Sequence, residues 1–224
     1  MDLKIKDIAE LLDVPESTIR EWVEKKKIPF YRVKNQDYFN KSEINEWILK
    51  NNIKVSNKIF GLRITTKPLV ITGLIEQGGI HYGIRGKTVA AVIKNAVARI
   101  PVPSDISKKT ILSLLMERES MMTTAVGHGI AFPHPRNPIT SAIENESISI
   151  CLLDKPVDFK ALDGRPVHSL FIIISSSPKR HLEILSKISY LCQQDIMVKM
   201  LEYKSNRESI LRFVQQVETE WGEK

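Results

Sequence analysis

The 224-residue chain has only two cysteines, Cys151 and Cys192, each inside an apolar segment and without metal-ligand spacing. That excludes a disulfide framework and a thiolate metal site, and suits small core residues of a cytoplasmic protein. Long apolar runs are also missing. The longest dense one, Leu170 to Ile174, is far short of a membrane span. The N-terminus Met1-Asp2-Leu3-Lys4 lacks the apolar stretch of a signal peptide. A soluble protein is expected. No HxxxH or HExxH pair, no Ser-His-Asp spacing and no glycine-rich nucleotide loop is present, and Gly78-Gly79 reads as a helix stop. No internal repeat or low-complexity segment is seen. Neither a metal nor a cofactor is expected.

What is present is charge, unevenly placed. The net charge is +7; residues 1–68 hold 14 Lys/Arg against 10 Asp/Glu, and residues 69–224 hold 19 against 16. The N-terminal part is the more basic piece, which favours a polyanionic partner.

Residues 1–50 read as a small domain. Ile5, Ile8, Leu11 and Leu12 share one helical face, Leu12-Asp13-Val14 turns, and Pro15 opens a second helix that buries Ile19, Trp22 and Val23. This is helix-turn-helix spacing, with Glu16, Ser17, Thr18, Arg20 and Glu21 expected on the open face. A hairpin wing is expected from Pro29–Val33 and Tyr38-Phe39 around Asn35-Gln36-Asp37. Asn40 and Glu43 then form a capping-box-like pair before Ile44, Trp47 and Ile48. Residues 51–68 are polar and weakly patterned. They fit a linker, although Ile59, Phe60, Leu62 and Ile64 alternate as an edge strand would.

From Leu69 the pattern alternates helix and strand. Helices are expected up to Gln77, over Thr88 to Ile100, and over Lys108 to Ser120. Strands are expected at Ile80–Ile84, Ile148–Leu153 and Val167–Ile174, and three helices close the chain. The apolar density of the later strands places them inside a sheet. The fold class is α/β, a mixed sheet flanked by helices, preceded by the small helix-turn-helix domain.

One stretch stands apart: Gly127-His128-Gly129-Ile130-Ala131-Phe132-Pro133-His134-Pro135-Arg136. Alternation at Ile130–Phe132 reads as a short strand, and two prolines restrict the backbone around His134. The two glycines are expected to leave an open surface beside the imidazole, for a partner to approach. Arg118 ends the preceding helix. His181 lies in the first turn of a helix opened by Ser177 as N-cap and Pro178 as first residue. A guanidinium and a helix N-terminus both suit an anion. Taken alone, each is more often a solvated charge or a packed residue.

Taken together these residues resemble a known family. Glu119, Val126-Gly127 and Ile130-Ala131-Phe132-Pro133-His134 are similar to the phospho-histidine signature of phosphotransferase-system enzyme IIA domains of the fructose/mannitol/nitrogen type. Arg118-Glu119 and His181-Leu182-Glu183-Ile184-Leu185 follow in the family's order. The resemblance covers about two-thirds of the chain, with two departures: Phe132 replaces a smaller aliphatic, and Pro135 replaces a small residue and removes an N–H. It implies that His134 accepts a phosphoryl group on Nε2 from the histidine-containing phosphocarrier protein, with Arg118 and His181 lining the site.

The first 50 residues resemble excisionase-like winged DNA-binding domains. That implies contacts to double-stranded DNA through Ser17, Thr18, Arg20, Lys25, Lys26, Arg32 and Lys34. The expected organisation is 1–50 winged helix-turn-helix, 51–68 linker, and 69–224 enzyme IIA-like domain. The expected function is a phosphorylation-responsive DNA-binding regulator, compatible with a homo-oligomer. The alternative is a phosphocarrier passing phosphate to a sugar-transport IIB partner, its N-terminal domain a docking module. A third reading is a IIA-like domain that binds partners without being phosphorylated.

Overall fold

The computed structural model describes residues 3–12, 14–33, 36–39, 43–44, 47, 69–104, 106–140 and 142–222. The chain separates into two compact units, Met1–Pro68 and Leu69–Lys224. The expected linker at 51–68, Asn40 of the expected capping box and Lys34 lie outside the described residues.

In the first unit, α1 (Ile5–Leu12) and α2 (Glu16–Glu24) bury Ile8, Leu12, Ile19 and Val23 against Ile28, Phe39 and Ile44. Pro15 sits at the N-cap of α2, where its missing N–H costs nothing. The wing is a two-stranded antiparallel ribbon, β1 (Tyr31–Val33) and β2 (Gln36–Tyr38). Gln36 and Asp37, expected in the turn, belong to β2, while Asn35 lies outside the described residues. Cross-strand partners explain that register: Arg32 pairs with Asp37 at 2.7 Å, and the Tyr31 and Tyr38 rings stack at 5.9 Å. The ribbon is tied to the helices by Leu3 and Phe39, which exchange two backbone hydrogen bonds. Trp47 packs on Trp22 and donates its Nε1–H to the Lys27 carbonyl.

The second unit is a five-stranded mixed sheet in the order β3-β6-β7-β5-β4. The strands are β3 (Ile80–Ile84), β4 (Ala125–Gly127), β5 (Ile130–Ala131), β6 (Ser147–Val157) and β7 (Val167–Ile174). β3 runs parallel to β6 and β5 parallel to β7, while β6/β7 and β4/β5 are antiparallel. β6 and β7 are buried along most of their length, as their apolar density requires. On one face Cys151, Leu153, Leu170, Ile172 and Ile174 meet the buried sides of α4 (Val89–Arg99) and α5 (Lys108–Met121). Both of those helices have the side-chain N-caps that their sequences offer, Thr88 and Ser107. α3 (Ile71–Gly78) lies on β6 so closely that a Cβ on Gly78 would meet the Ile148 carbonyl at 2.3 Å. α6 (Pro178–Cys192), α7 (Asp195–Glu202) and α8 (Arg207–Gly222) complete the unit. Both cysteines are buried, and burial raises the thiol pKa of each, that of Cys151 to about 12. Among the described residues, no helix is long and apolar enough to cross a membrane.

Candidate functional site

His134 follows β5, the short strand of the Ile130–Phe132 alternation. The chain there is pinned from both sides: Phe132 N–H donates to the Thr124 carbonyl, and the Pro133 carbonyl accepts from Ile173 N–H of β7. Phe132 is buried and meets Phe171 edge-on at 5.6 Å, which is how this core accepts the larger residue. His134 itself is 5% exposed. Its Nδ1–H donates to the Phe132 carbonyl at 2.7 Å, so Nε2 carries the free lone pair.

His181 stands beside it, with ring centroids 4.7 Å apart. It is delivered by the first turn of α6, where Ser177 caps Arg180 N–H and Pro178 is the first helical residue. Ser175 Oγ lies 3.3 Å from His181 Nδ1. Burial, then repulsion from His181 when that ring is protonated, and the field of Arg118 hold His134 down to a pKa of about 3 against the stabilising Phe132 hydrogen bond. Burial and Arg118 hold His181 to about 4. Both imidazoles are therefore neutral at neutral pH. Arg118 is 4% exposed and is oriented by donating NH1–H to the Met122 carbonyl just past α5. The structure thus brings together the three residues singled out for phosphoryl chemistry. Glu119, next to Arg118, is turned to another task and accepts hydrogen bonds from Thr124 N–H and Oγ1–H at the start of the hairpin.

The glycines do not form the open surface expected. Gly127, His128 and Gly129 all have positive φ, making a left-handed turn between β4 and β5. The space beside Gly129 is filled by the His168 ring, which a Cβ would approach to 2.3 Å. His168 Nδ1 in turn lies 2.8 Å from Ser169 Oγ. A side chain of the same chain, not a partner, uses the missing Cβ.

Sequence reasoning missed the support behind His181. Glu146, fully buried ahead of β6, accepts from Arg180 Nε–H at 2.9 Å and NH2–H at 2.6 Å, and from Ser176 N–H and Oγ–H at 3.1 and 2.6 Å. Glu183 adds a longer contact to Arg180 at 3.5 Å. One carboxylate therefore ties the residues on either side of the α6 N-cap to the sheet. The Ser175-Ser176-Ser177 run and Arg180 beside His181 were visible in the sequence, but Glu146 carries no local signal. No cluster of metal-ligating side chains occurs among the described residues.

In the first unit, Ser17, Arg20, Lys25, Lys26 and Arg32 are exposed, while Thr18 is half-buried. Three of the cations are engaged within the unit: Arg20 with Glu16 at 3.3 Å, Lys25 with Glu21 at 2.5 Å, and Arg32 with Asp37. Lys26 turns the chain after α2 with φ +50°.

Comparison with known proteins agrees with this architecture. The family described as "Phosphoenolpyruvate-dependent sugar phosphotransferase system, EIIA 2" matches residues 73–217, and a helix-turn-helix domain matches residues 3–52. The Nitrogen regulatory protein of Pseudomonas aeruginosa is 34% identical over 134 residues, covering 59% of this chain and 84% of that protein. The mannitol-specific phosphotransferase enzyme IIA component of Geobacillus stearothermophilus is 30% identical over 138 residues, covering 62% and 91%. Among solved structures, the Nitrogen Regulatory Protein IIA-Ntr from Neisseria meningitidis superposes with a TM-score of 0.56 at 23% identity. It covers 65% of this chain and 99% of its own, a likeness of fold. The mixed sheet, the ordered histidine and arginine motifs and the match over most of the second unit lead to one conclusion: the chain belongs to the phosphotransferase-system EIIA type 2 family, and carries a helix-turn-helix domain ahead of it.

Proposed function

We propose that this chain is a phosphorylation-responsive DNA-binding regulator. Its second unit accepts a phosphoryl group on His134 from the histidine-containing phosphocarrier protein, and its first unit binds double-stranded DNA. The domain division proposed is 1–50 for DNA, 51–68 as connection and 69–224 for phosphoryl acceptance. The observation that carries the reading is the hydrogen bond from His134 Nδ1–H to the Phe132 carbonyl, which leaves Nε2 as the nucleophile. In the transfer, the Nε2 lone pair forms the new N–P bond while the N–P bond of the donor histidine breaks. No proton need leave His134, because Nδ1–H stays on the carbonyl. The phosphoryl oxygens would then meet Arg118, and His181 once its Nδ1 accepts from the Ser175 hydroxyl and Nε2 carries the proton.

The test is incubation with phosphoenolpyruvate and the phosphocarrier system, reading acid-labile label. His134→Ala abolishes labelling, while His181→Ala retains some labelling but transfers poorly. A His134→Ala protein labelled like the parent overturns the assignment.

The ion pairs of Arg20, Lys25 and Arg32 favour a second reading, a phosphocarrier to a IIB partner whose N-terminal domain only docks. Exposed pairs of this kind contribute only about 0–1 kcal/mol, so phosphates can displace the carboxylates. A salt titration decides: the regulator binds duplex DNA with affinity that falls steeply with salt, and absence of binding at low ionic strength promotes the docking reading.

A further inference from the structure

The charge of the second unit is segregated. From Arg85 to Lys109 stand six cations and one carboxylate, Asp105, whereas the rest of residues 69–224 holds 13 cations against 15 carboxylates. All six cations, Arg85, Lys87, Lys94, Arg99, Lys108 and Lys109, are exposed, and none forms an ion pair with a described residue.

Hydrogen bonds gather Arg85, Arg99 and Lys108 around α4, which itself carries Lys94, while Lys87 directly precedes the Thr88 cap and Lys109 follows Lys108. Asn95 Nδ2–H donates to the Arg85 carbonyl at 2.6 Å, and Lys108 Nζ donates to the Ala98 carbonyl at 2.6 Å. Lys94 and Ala98 are four apart on α4 and so stand on the same side. Arg99 NH1–H reaches the Tyr82 carbonyl of β3 at 2.7 Å. Tyr82 Oη–H reaches the Ser205 carbonyl, which brings the start of α8 and exposed Arg207 to the same edge. Asp154 is the carboxylate that the β3/β6 register carries nearby, one residue past Leu153.

This face is not part of the histidine site. β3 is one edge of the sheet, separated from β5 by β6 and β7. Three strand steps span about 14 Å, well beyond the screening length of about 8 Å at physiological salt.

We propose that this face is a second contact surface for duplex DNA, gripping phosphates without reading bases. The proposal rests on the reading that the chain binds DNA, and extends it to the EIIA unit. Phosphate contact asks for accessible cations, which this face offers without an ion pair to a described carboxylate, unlike Arg20, Lys25 and Arg32. A lipid surface would need large apolar side chains among the charges, whereas the exposed positions of α4 are Ala90, Lys94, Asn95, Ala98 and Arg99. Single-stranded nucleic acid would need a row of stacking platforms, whereas α4 has no aromatic residue and Tyr82 beside it has its hydroxyl committed to the Ser205 carbonyl.

The experiment uses the full chain and a labelled 30-bp duplex of arbitrary sequence, with affinity measured across salt concentrations. Lys87→Gln/Lys94→Gln/Lys109→Gln removes three charges whose side chains make no hydrogen bond to described residues, so folding is preserved. Arg20→Ala/Lys26→Ala serves as the N-terminal counterpart. The expected result is a salt slope less steep by about 2–3 in the triple variant, at about 0.9 per lost phosphate contact, and binding weakened about tenfold or more at 0.1 M salt. A triple variant that matches the parent in slope and affinity overturns the proposal, while loss of binding in the N-terminal variant leaves that unit's role standing. Weakening by the triple variant alone supports the EIIA face and removes the N-terminal one. Absence of duplex binding by the parent at low salt overturns both. Preference of the parent for phosphatidylserine vesicles over duplex overturns it in favour of a membrane.

Discussion

Glu146→Ala tests whether the buried carboxylate organises the phosphoryl site. In the native protein Glu146 is fully buried and Arg180 is 3% exposed, and Glu146 also satisfies Ser176 N–H and Oγ–H. Removing one partner of a buried pair costs about 3–5 kcal/mol, because the other charge stays desolvated. Glu183, at 3.5 Å, partly compensates the guanidinium and places the expected loss near the lower end, about 3 kcal/mol. The companion Glu146→Leu/Arg180→Met removes both charges and should lose less than Glu146→Leu alone, by about 2 kcal/mol. Urea unfolding followed by fluorescence suits the measurement if Trp22 and Trp47 are changed to Phe. Trp221, packed on Tyr190 and Lys187, then reports on the second unit alone. The same variants should lose phosphoryl transfer, because the turn that carries His181 is no longer held. An unchanged unfolding midpoint for Glu146→Ala, or a double variant as weak as the sum of its parts, refutes the reasoning.

The two imidazoles make stability depend on pH: with folded pKa values of about 3 and 4 against about 6.5 unfolded, unfolding takes up two protons between these limits. Stability is full above pH 6.5 and falls as pH drops toward 4, by at most about 2.7 kcal/mol per unit; unfolding of His134→Gln/His181→Gln should show a shallower dependence. Gly129→Ala combines a left-handed backbone cost of about 1–2 kcal/mol with overpacking against the His168 ring of about 1–3. Adding His168→Ala should recover the second part only, as read by urea midpoints. Ser175→Ala should shift the His181 tautomer balance, visible in nitrogen-15 NMR, and slow phosphoryl transfer by up to about tenfold, one hydrogen bond's worth. Ser175→Thr, which keeps the hydroxyl, should restore both.

Much of the fold was legible because its signals are local. Ser177 is the N-cap its sequence position suggested, the helices expected from Thr88 and from Lys108 are present, and β7 has the bounds of its apolar run, Val167–Ile174. β6 was underestimated: it continues through exposed Asp154, Lys155 and Pro156 to Val157, where pairing with Val167 resumes after an irregular stretch. No apolar periodicity marks that extension, since the cross-strand partner holds it. Gln36 and Asp37 were read as turn for a similar reason, and they are strand. Asn35-Gln36-Asp37 has turn composition, yet Arg32 and Tyr31 recruit Asp37 and Tyr38 into a ladder.

At the candidate site, His134, Arg118 and His181 were legible as residue types in order, but what makes them chemically useful was not. His134 owes its free Nε2 to a backbone carbonyl two residues away, and its neutrality to burial under elements 16 to 47 residues distant in sequence, those of Arg118 and His181. A glycine next to a histidine suggested room for a partner; the fold spends that room on His168, because the left-handed turn at Gly127–Gly129 points the missing Cβ at β7. Glu146 lies 34 residues before Arg180 and reads in the sequence as an ordinary surface acid. A carboxylate becomes a mounting for the site only when the strand that follows it runs antiparallel to the strand leading into α6. Ser147 opposes Ile174 in that pairing, so the residue just before one strand must meet those just after the other. The motif therefore specifies the reacting groups, and the sheet register specifies how they are held.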